Sequence, residues 1–271
     1  IGGQVLSIFL PDDQIMFFLS LREVSVGWTL YAPLSVVQPN PQIDLLLLGL
    51  HLSGIATTVG AINFIATVIY ERADDVTWGT LDIFSWNMLV TSSIALFAFP
   101  LLGSALVMLL LDRNLGTTFF ATEGGGPVLW QHLFWFWGHP EVYILFLPAT
   151  GLMSLILPKF VGRKLFGYQF IVYSTLGLAV MSFGVWAHHM FTSGVDPRLK
   201  ASFMAISIAI AVPSAIKVFN WLTTMWDGDI KLSAPFILCA GGIGTFIIGG
   251  VTGVFLAVIP IDILYHGTYY V

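Results

Sequence analysis

VLWQHLFWFWGHPEVYILFLPATGLMSLILP, residues 128–158, is an apolar run in which Glu141 is the sole Asp, Glu, Lys or Arg. As a helix it would extend about 46 Å, enough to cross the ~30 Å hydrocarbon layer of a bilayer. Five further apolar runs of span length lie around it, at roughly 43–70, 83–111, 167–190, 201–225 and 234–260. A seventh, at 4–21, is shortened by Pro11, Asp12 and Asp13. The spacing predicts an all-α polytopic transmembrane helix bundle of about seven spans.

Composition agrees. Only 9% of residues are charged against 57% apolar, and mean hydropathy is +0.89, far from the soluble range. The net charge of −5 comes without a basic run, which excludes a nucleic-acid footprint and a polybasic lipid anchor. Cys239 is the single cysteine, so an internal disulfide and a cysteine-based metal site are both excluded. Connections are short and carry turn or charge signals, as in ERADDVTWGT, KFVGRK, SGVDPRLK and DGDIKLS. Successive spans therefore run antiparallel, and KFVGRK, with Lys159, Arg163 and Lys164, assigns its side to the inner face. Residues 1–271 form one transmembrane domain, and both ends look truncated.

An ionisable side chain at bilayer depth costs on the order of 3 kcal/mol, so each one within a span is a candidate for function. His139 and Tyr143 are four residues apart and share a helix face, while Pro140 leaves the Phe136 carbonyl without its usual donor. His188 and His189 are adjacent, and in an ideal helix their side chains diverge by about 100°. Convergence on one ion needs an unwound backbone, and Gly194 and Pro197 suggest a helix end there. Three imidazoles without carboxylate or thiolate suit copper or zinc, and a neighbouring phenol tilts the choice to redox-active copper.

Each residue also has a plainer reading. His51 and His132 read as satisfied interhelical hydrogen-bonders, and the aromatics Phe134 to Trp137 as packing. Lys217 lies near the inner end of its span, where it either snorkels to the interface or relays protons with Ser214 one turn earlier. Ser154, Thr57, Thr58 and Asn63 share the inner half of the layer, although most such hydroxyls bond only the carbonyl four residues back.

The runs WQHLFWFWGHPEVYILFLP, VWAHHMFTSG, IAVPSAIKVFNWL, GGVTGVFLA and DILYHGTYYV closely resemble the catalytic subunit I of haem-copper terminal oxidases, of the proton-pumping A type. GWTLYAPLS, LHLSGIATTVGAINF and LLLDRNLGTTFF extend the likeness over about residues 27–271, and residues 1–26 fit it poorly. The resemblance implies a family fold of some twelve spans that reduces O₂ to water and translocates protons. It implies copper held by His139, His188 and His189, with Tyr143 covalently linked to His139. Trp135 and Trp186 would pack around that centre. Glu141 would be the gate of one proton path, fed past Thr57, Thr58 and Asn63, and Ser154, Ser214 and Lys217 would form a second path toward Tyr143.

The resemblance also implies a haem, its ligating histidines being on an earlier helix and just after TYYV. His266 would be a Mg or Mn ligand, but Gly267 stands where the family usually has Asp; Asp262 remains nearby. Implied partners are O₂, the other oxidase subunits, above all an electron-donating subunit II, and cytochrome c in preference to quinol. The setting would be a bacterial or archaeal plasma membrane or the mitochondrial inner membrane. Nitric oxide reduction on the same scaffold is disfavoured by Tyr143 and Glu141. Outside the family, an intramembrane metal or ion transporter could use the same polar residues without haem.

Overall fold

The computed structural model describes residues 24–121 and 124–271. The expected short span at 4–21 lies outside them. Among the described residues, eight α-helices of more than one turn follow in order: α1 Pro41–Tyr70, α2 Ile83–Asn114, α3 Gly126–Val161, α4 Tyr168–Ser182, α5 Pro197–Ala209, α6 Ala211–Met225, α7 Ala234–Leu256 and α8 Ile259–Tyr265. A single turn at Leu34–Val37 precedes α1, and a 3₁₀ turn, Trp186–Met190, sits between α4 and α5. Among the described residues, five helical stretches are long and apolar enough to cross a membrane: α1, α2, α3, α5 with α6, and α7.

The helix ends follow local chemistry. Asn40 accepts a hydrogen bond from Gln42 N at 3.1 Å with Pro41 in the first turn, and Asp82 accepts from Ser85 N at 2.9 Å. Asp196 does the same for Arg198 N at 2.7 Å. Gly162, at φ +65°, ends α3 in the left-handed conformation that favours glycine. The predicted span at 167–190 is helical only as far as Ser182. Hydropathy does not mark this end, because FGVW directly beyond it continues the apolar run.

α2 lies between α1 and α3 and carries the most buried face, with Val90, Ile94, Ala98, Leu102, Ala105 and Leu109 in steps of three and four. Apolar burial drives little association inside lipid, so close approach matters more. Gly151 on α3 provides it: a Cβ there would stand 2.9 Å from Asn87 Cβ on α2. The outward faces of α1 and α7 are exposed leucines, isoleucines and valines such as Leu52, Val59, Leu238 and Ile248, suited to a lipid surface.

One polar latch ties together the ends of α1 and α2 on the side opposite KFVGRK. Arg113, at the end of α2, pairs with Asp44 on α1 at 2.7 Å and donates to the carbonyls of Ser35, Gln38 and Asn40 at 2.5, 3.1 and 2.9 Å. It ties the segment 35–40 before α1 to the end of α2, and Tyr31 lies four residues ahead of that tie.

Candidate metal centre

α3 presents His139, and the 3₁₀ turn presents His188 and His189. The turn is the unwound backbone that adjacency requires. α4 stops early and the chain beyond the turn stays inside the protein, with Phe191 and Val195 buried. His139 Nδ1 lies 3.0 Å from His188 Nε2 and 3.4 Å from His189 Nε2, and the last two are 3.1 Å apart. A circle through three points at those separations has a radius of about 1.8 Å, just inside a typical metal–imidazole bond of roughly 2.0 Å. Three neutral imidazoles converging without an acid between them make a site able to hold a borderline-soft transition metal.

The outer nitrogens are also placed. His188 Nδ1 faces Ser207 Oγ on α5 at 2.8 Å, a partner able to accept from an Nδ1–H tautomer, in which Nε2 keeps its lone pair for a ligand. Trp135 stacks on His189 at 4.0 Å with 12° between planes, and its Nε1 donates to the Tyr31 hydroxyl at 2.6 Å. Burial pushes the Tyr31 phenol up, partly offset by the Trp135 bond. His139 Nε2 is buried and finds no partner among the described residues, and the Tyr143 ring, one turn along α3, lies 4.7 Å from the His139 ring. A cavity of about 740 Å³ opens beside the cluster, lined by His139, Tyr143, Ser214, Phe246, Asp262 and His266 among others.

The other expected residues are dispersed. Glu141 is absent from the lining of that cavity, consistent with a different face of α3, and its Oε2 is buried without a partner among the described residues. Thr57 and Thr58 bond the carbonyls of Ser53 and Gly54 at 2.9 and 2.8 Å, and Asn63 is exposed on α1. Trp186 contacts His132, Phe136 and Phe203. His266 Nδ1 pairs with Asp262 Oδ2 at 3.0 Å, both at the cavity, and Gly267 follows at φ +73°.

Two plain readings do not survive. Lys217 does not snorkel: it is 0% exposed, and its Nζ donates to Thr175 Oγ1 on α4 at 2.5 Å, a partner other than Ser214. His51 is not satisfied, since its Nδ1 is buried without a partner among the described residues, whereas His132 does receive the Trp186 indole N–H at 3.2 Å. Ser154 is fully engaged, donating to Thr150 O at 2.7 Å and accepting from Trp221 Nε1 at 2.8 Å. Ser214 donates to Ile210 O at 3.2 Å and borders the cavity. Tyr31, Thr175 and Ser207 were missed from sequence. Of these only Tyr31 lay in a motif noted there, GWTLYAPLS.

The family described as "Cytochrome C and Quinol oxidase polypeptide I" matches residues 6–271, so the likeness begins well before residue 27. The chain is 66% identical over 251 residues to the cytochrome c oxidase polypeptide 1 of Halobacterium salinarum, covering 93% of this chain and 42% of that protein. It is 45% identical over 247 residues to the cytochrome c oxidase subunit 1 of Cereibacter sphaeroides, covering 91% and 44%, and 46% identical over 246 residues to that of Bacillus subtilis, covering 90% and 40%. The chain thus spans less than half the length of these relatives.

Proposed function

The chain belongs to the cytochrome c and quinol oxidase polypeptide I family, and from that premise we propose that it is the central part of a haem-copper terminal oxidase catalytic subunit. The reaction is O₂ + 4 e⁻ + 4 H⁺ → 2 H₂O, coupled to proton translocation across the membrane. The observation that carries this reading is the convergence of His139 Nδ1, His188 Nε2 and His189 Nε2 beside Tyr143 and a large cavity.

The donor set fits copper, and the apolar cavity next to it fits a haem. His139, His188 and His189 would hold the copper, which together with the haem would supply the electron-transfer chemistry that O₂ reduction requires. Ser207 holds His188 in its ligating tautomer, and Trp135 fixes the plane of His189. Tyr143 would be the proton and electron donor beside that centre, and the orphaned His139 Nε2 is the atom available for a covalent link to its ring. Lys217 and Ser214 return protons toward Tyr143 from the KFVGRK side. Glu141, turned to another face, serves the separate path that begins near Thr57, Thr58 and Asn63, and its unpaired oxygen is a natural anchor for buried water. Asp262 and His266 offer one carboxylate and one imidazole to a Mg or Mn ion at the cavity edge.

The relatives' names point to cytochrome c as donor, and an electron-donating subunit II is the proposed route. The test is O₂ uptake by the complete membrane-purified oxidase, supplied in turn with reduced cytochrome c and with quinol. Uptake with cytochrome c is expected; uptake with quinol alone would move the chain to the quinol branch. A preparation that binds copper, carries no haem and consumes no O₂ would overturn the oxidase assignment.

A further inference from the structure

His188 and His189 converge only because the chain leaves α-helical geometry at Trp186–Met190, and such a turn needs support from outside. It holds five residues in 3₁₀ geometry, where runs longer than roughly three to four residues are uncommon because the hydrogen bonds are poorer. α5 packs against the turn and meets it along one stripe. Lys200, Phe203 and Ser207 are spaced by three and four residues, so they share a face of α5 about 10 Å long. Ser207 Oγ meets His188 Nδ1 at 2.8 Å, and the Phe203 ring packs edge-on against Trp186 with centroids 4.6 Å apart.

Lys200 takes the exit of the turn. Its Nζ donates to the carbonyls of Phe191 at 2.8 Å and Ser193 at 2.7 Å. Neither carbonyl accepts from a backbone N–H or from another side chain among the described hydrogen bonds, and Phe191 is 1% exposed. A buried carbonyl without a donor is costly, and a bond from a cation is stronger than one between neutral groups. Arg198, two residues earlier on α5, makes a useful contrast: it is exposed, and its guanidinium has no partner among the described residues. The inward placement of Lys200 therefore does not follow from the charge of the SGVDPRLK segment as a whole.

We propose that Lys200 is a positioning residue for the copper ligands: its ammonium ties the exit of the turn to α5 as Ser207 ties its middle, so that His188 and His189 are held between two fastenings on one helix. This rests on the assignment of copper to His139, His188 and His189. Without the ammonium, the Phe191 and Ser193 carbonyls must find other donors, and a backbone shift that lets them do so moves His189, two residues before Phe191. A shift toward regular helix is the damaging one, because adjacent side chains then diverge by about 100° and His189 leaves the cluster.

The test uses the complete oxidase and two readouts of the metal. One is copper content after equilibration with graded chelator. The other is the infrared band of carbon monoxide that moves from the haem to the copper on photolysis of the reduced enzyme at low temperature. In Lys200→Met, copper is expected to leave at about tenfold lower chelator activity, the low end for an outer partner because the lysine holds backbone rather than a ligand ring. The carbon monoxide band of the copper that remains is expected to shift or broaden. Lys200→Arg keeps a cation able to fork onto two carbonyls and should restore both readouts. Arg198→Met removes a neighbouring cation and should leave both native. Arg113→Met loosens α1 from α2 and should leave the band in place, which separates positioning from general loosening. Lys200→Gln, uncharged and one atom shorter, carries the test if Lys200→Met fails to assemble. Native copper retention with a native band in the assembled variant would overturn the proposal, as would equal changes in Arg198→Met or Arg113→Met. A native enzyme without any copper-bound carbon monoxide band would instead remove the copper assignment, and the proposal with it.

Discussion

Ser207→Ala removes one oxygen, and the structure states what that oxygen does. Ser207 Oγ lies 2.8 Å from His188 Nδ1, and the serine is 6% exposed, so bulk water has little access to replace it. If His188 binds the metal through Nε2 as proposed, its proton is on Nδ1 and Ser207 Oγ is the acceptor within reach. Without the acceptor, the buried N–H is unpaired and the imidazole gains access to the other tautomer, whose Nε2 cannot bind. Losing an outer hydrogen bond of this kind lowers metal affinity by roughly 10- to 100-fold, or about 1.4 to 2.7 kcal/mol. Ser207→Thr keeps the hydroxyl and should recover most of it. The assay is copper content of the complete oxidase after equilibration with graded chelator. The Ala variant should lose copper at 10- to 100-fold lower chelator activity, with the haem spectrum retained. Native retention of copper in Ser207→Ala would refute the assignment of His188 Nε2 as a ligand held by Ser207.

Three further outcomes are expected. Tyr143→Phe should abolish O₂ turnover while copper and haem content stay near native, and near-normal oxygen-electrode rates would remove the phenol from the chemistry. Arg113→Met removes the cation beside Asp44, which keeps only the Asn114 amide at 3.2 Å, and takes one donor from each of the Ser35, Gln38 and Asn40 carbonyls. Arg113 is 5% exposed and Asp44 23%, so solvent screening trims the loss to about 2–3 kcal/mol, read as a lower thermal midpoint in detergent; an unchanged midpoint would show that the latch is idle. Gly151→Val forces a side chain into Asn87 and should cost about 1–3 kcal/mol or prevent assembly, checked by yield and thermal midpoint.

The parts readable from sequence were those with a short-range signature. The run at 128–158 announced a membrane helix by hydropathy, and His139 with Tyr143 announced a shared face by four-residue spacing. Adjacent His188 and His189 implied a broken helix, and the 3₁₀ turn supplies it. What escaped depends on partners far apart in the chain. Tyr31 meets Trp135 across 104 positions and Thr175 meets Lys217 across 42, and neither threonine nor tyrosine carries a local mark of such a contact. Lys217 was open to the snorkelling reading because position along a span says nothing of which helix covers it; α4 does, and the lysine is sealed. The end of α4 at Ser182 escaped for a related reason: a helix that stops inside protein needs no polar residues to mark it.

The centre itself is tested most directly by X-ray absorption at the copper edge of the complete oxidase. Three imidazole nitrogens at roughly 2.0 Å are expected, with the copper-to-haem ratio falling in each of His139→Ala, His188→Ala and His189→Ala. Copper bound by sulfur or carboxylate, or a ratio unchanged in any one of the three variants, would contradict it.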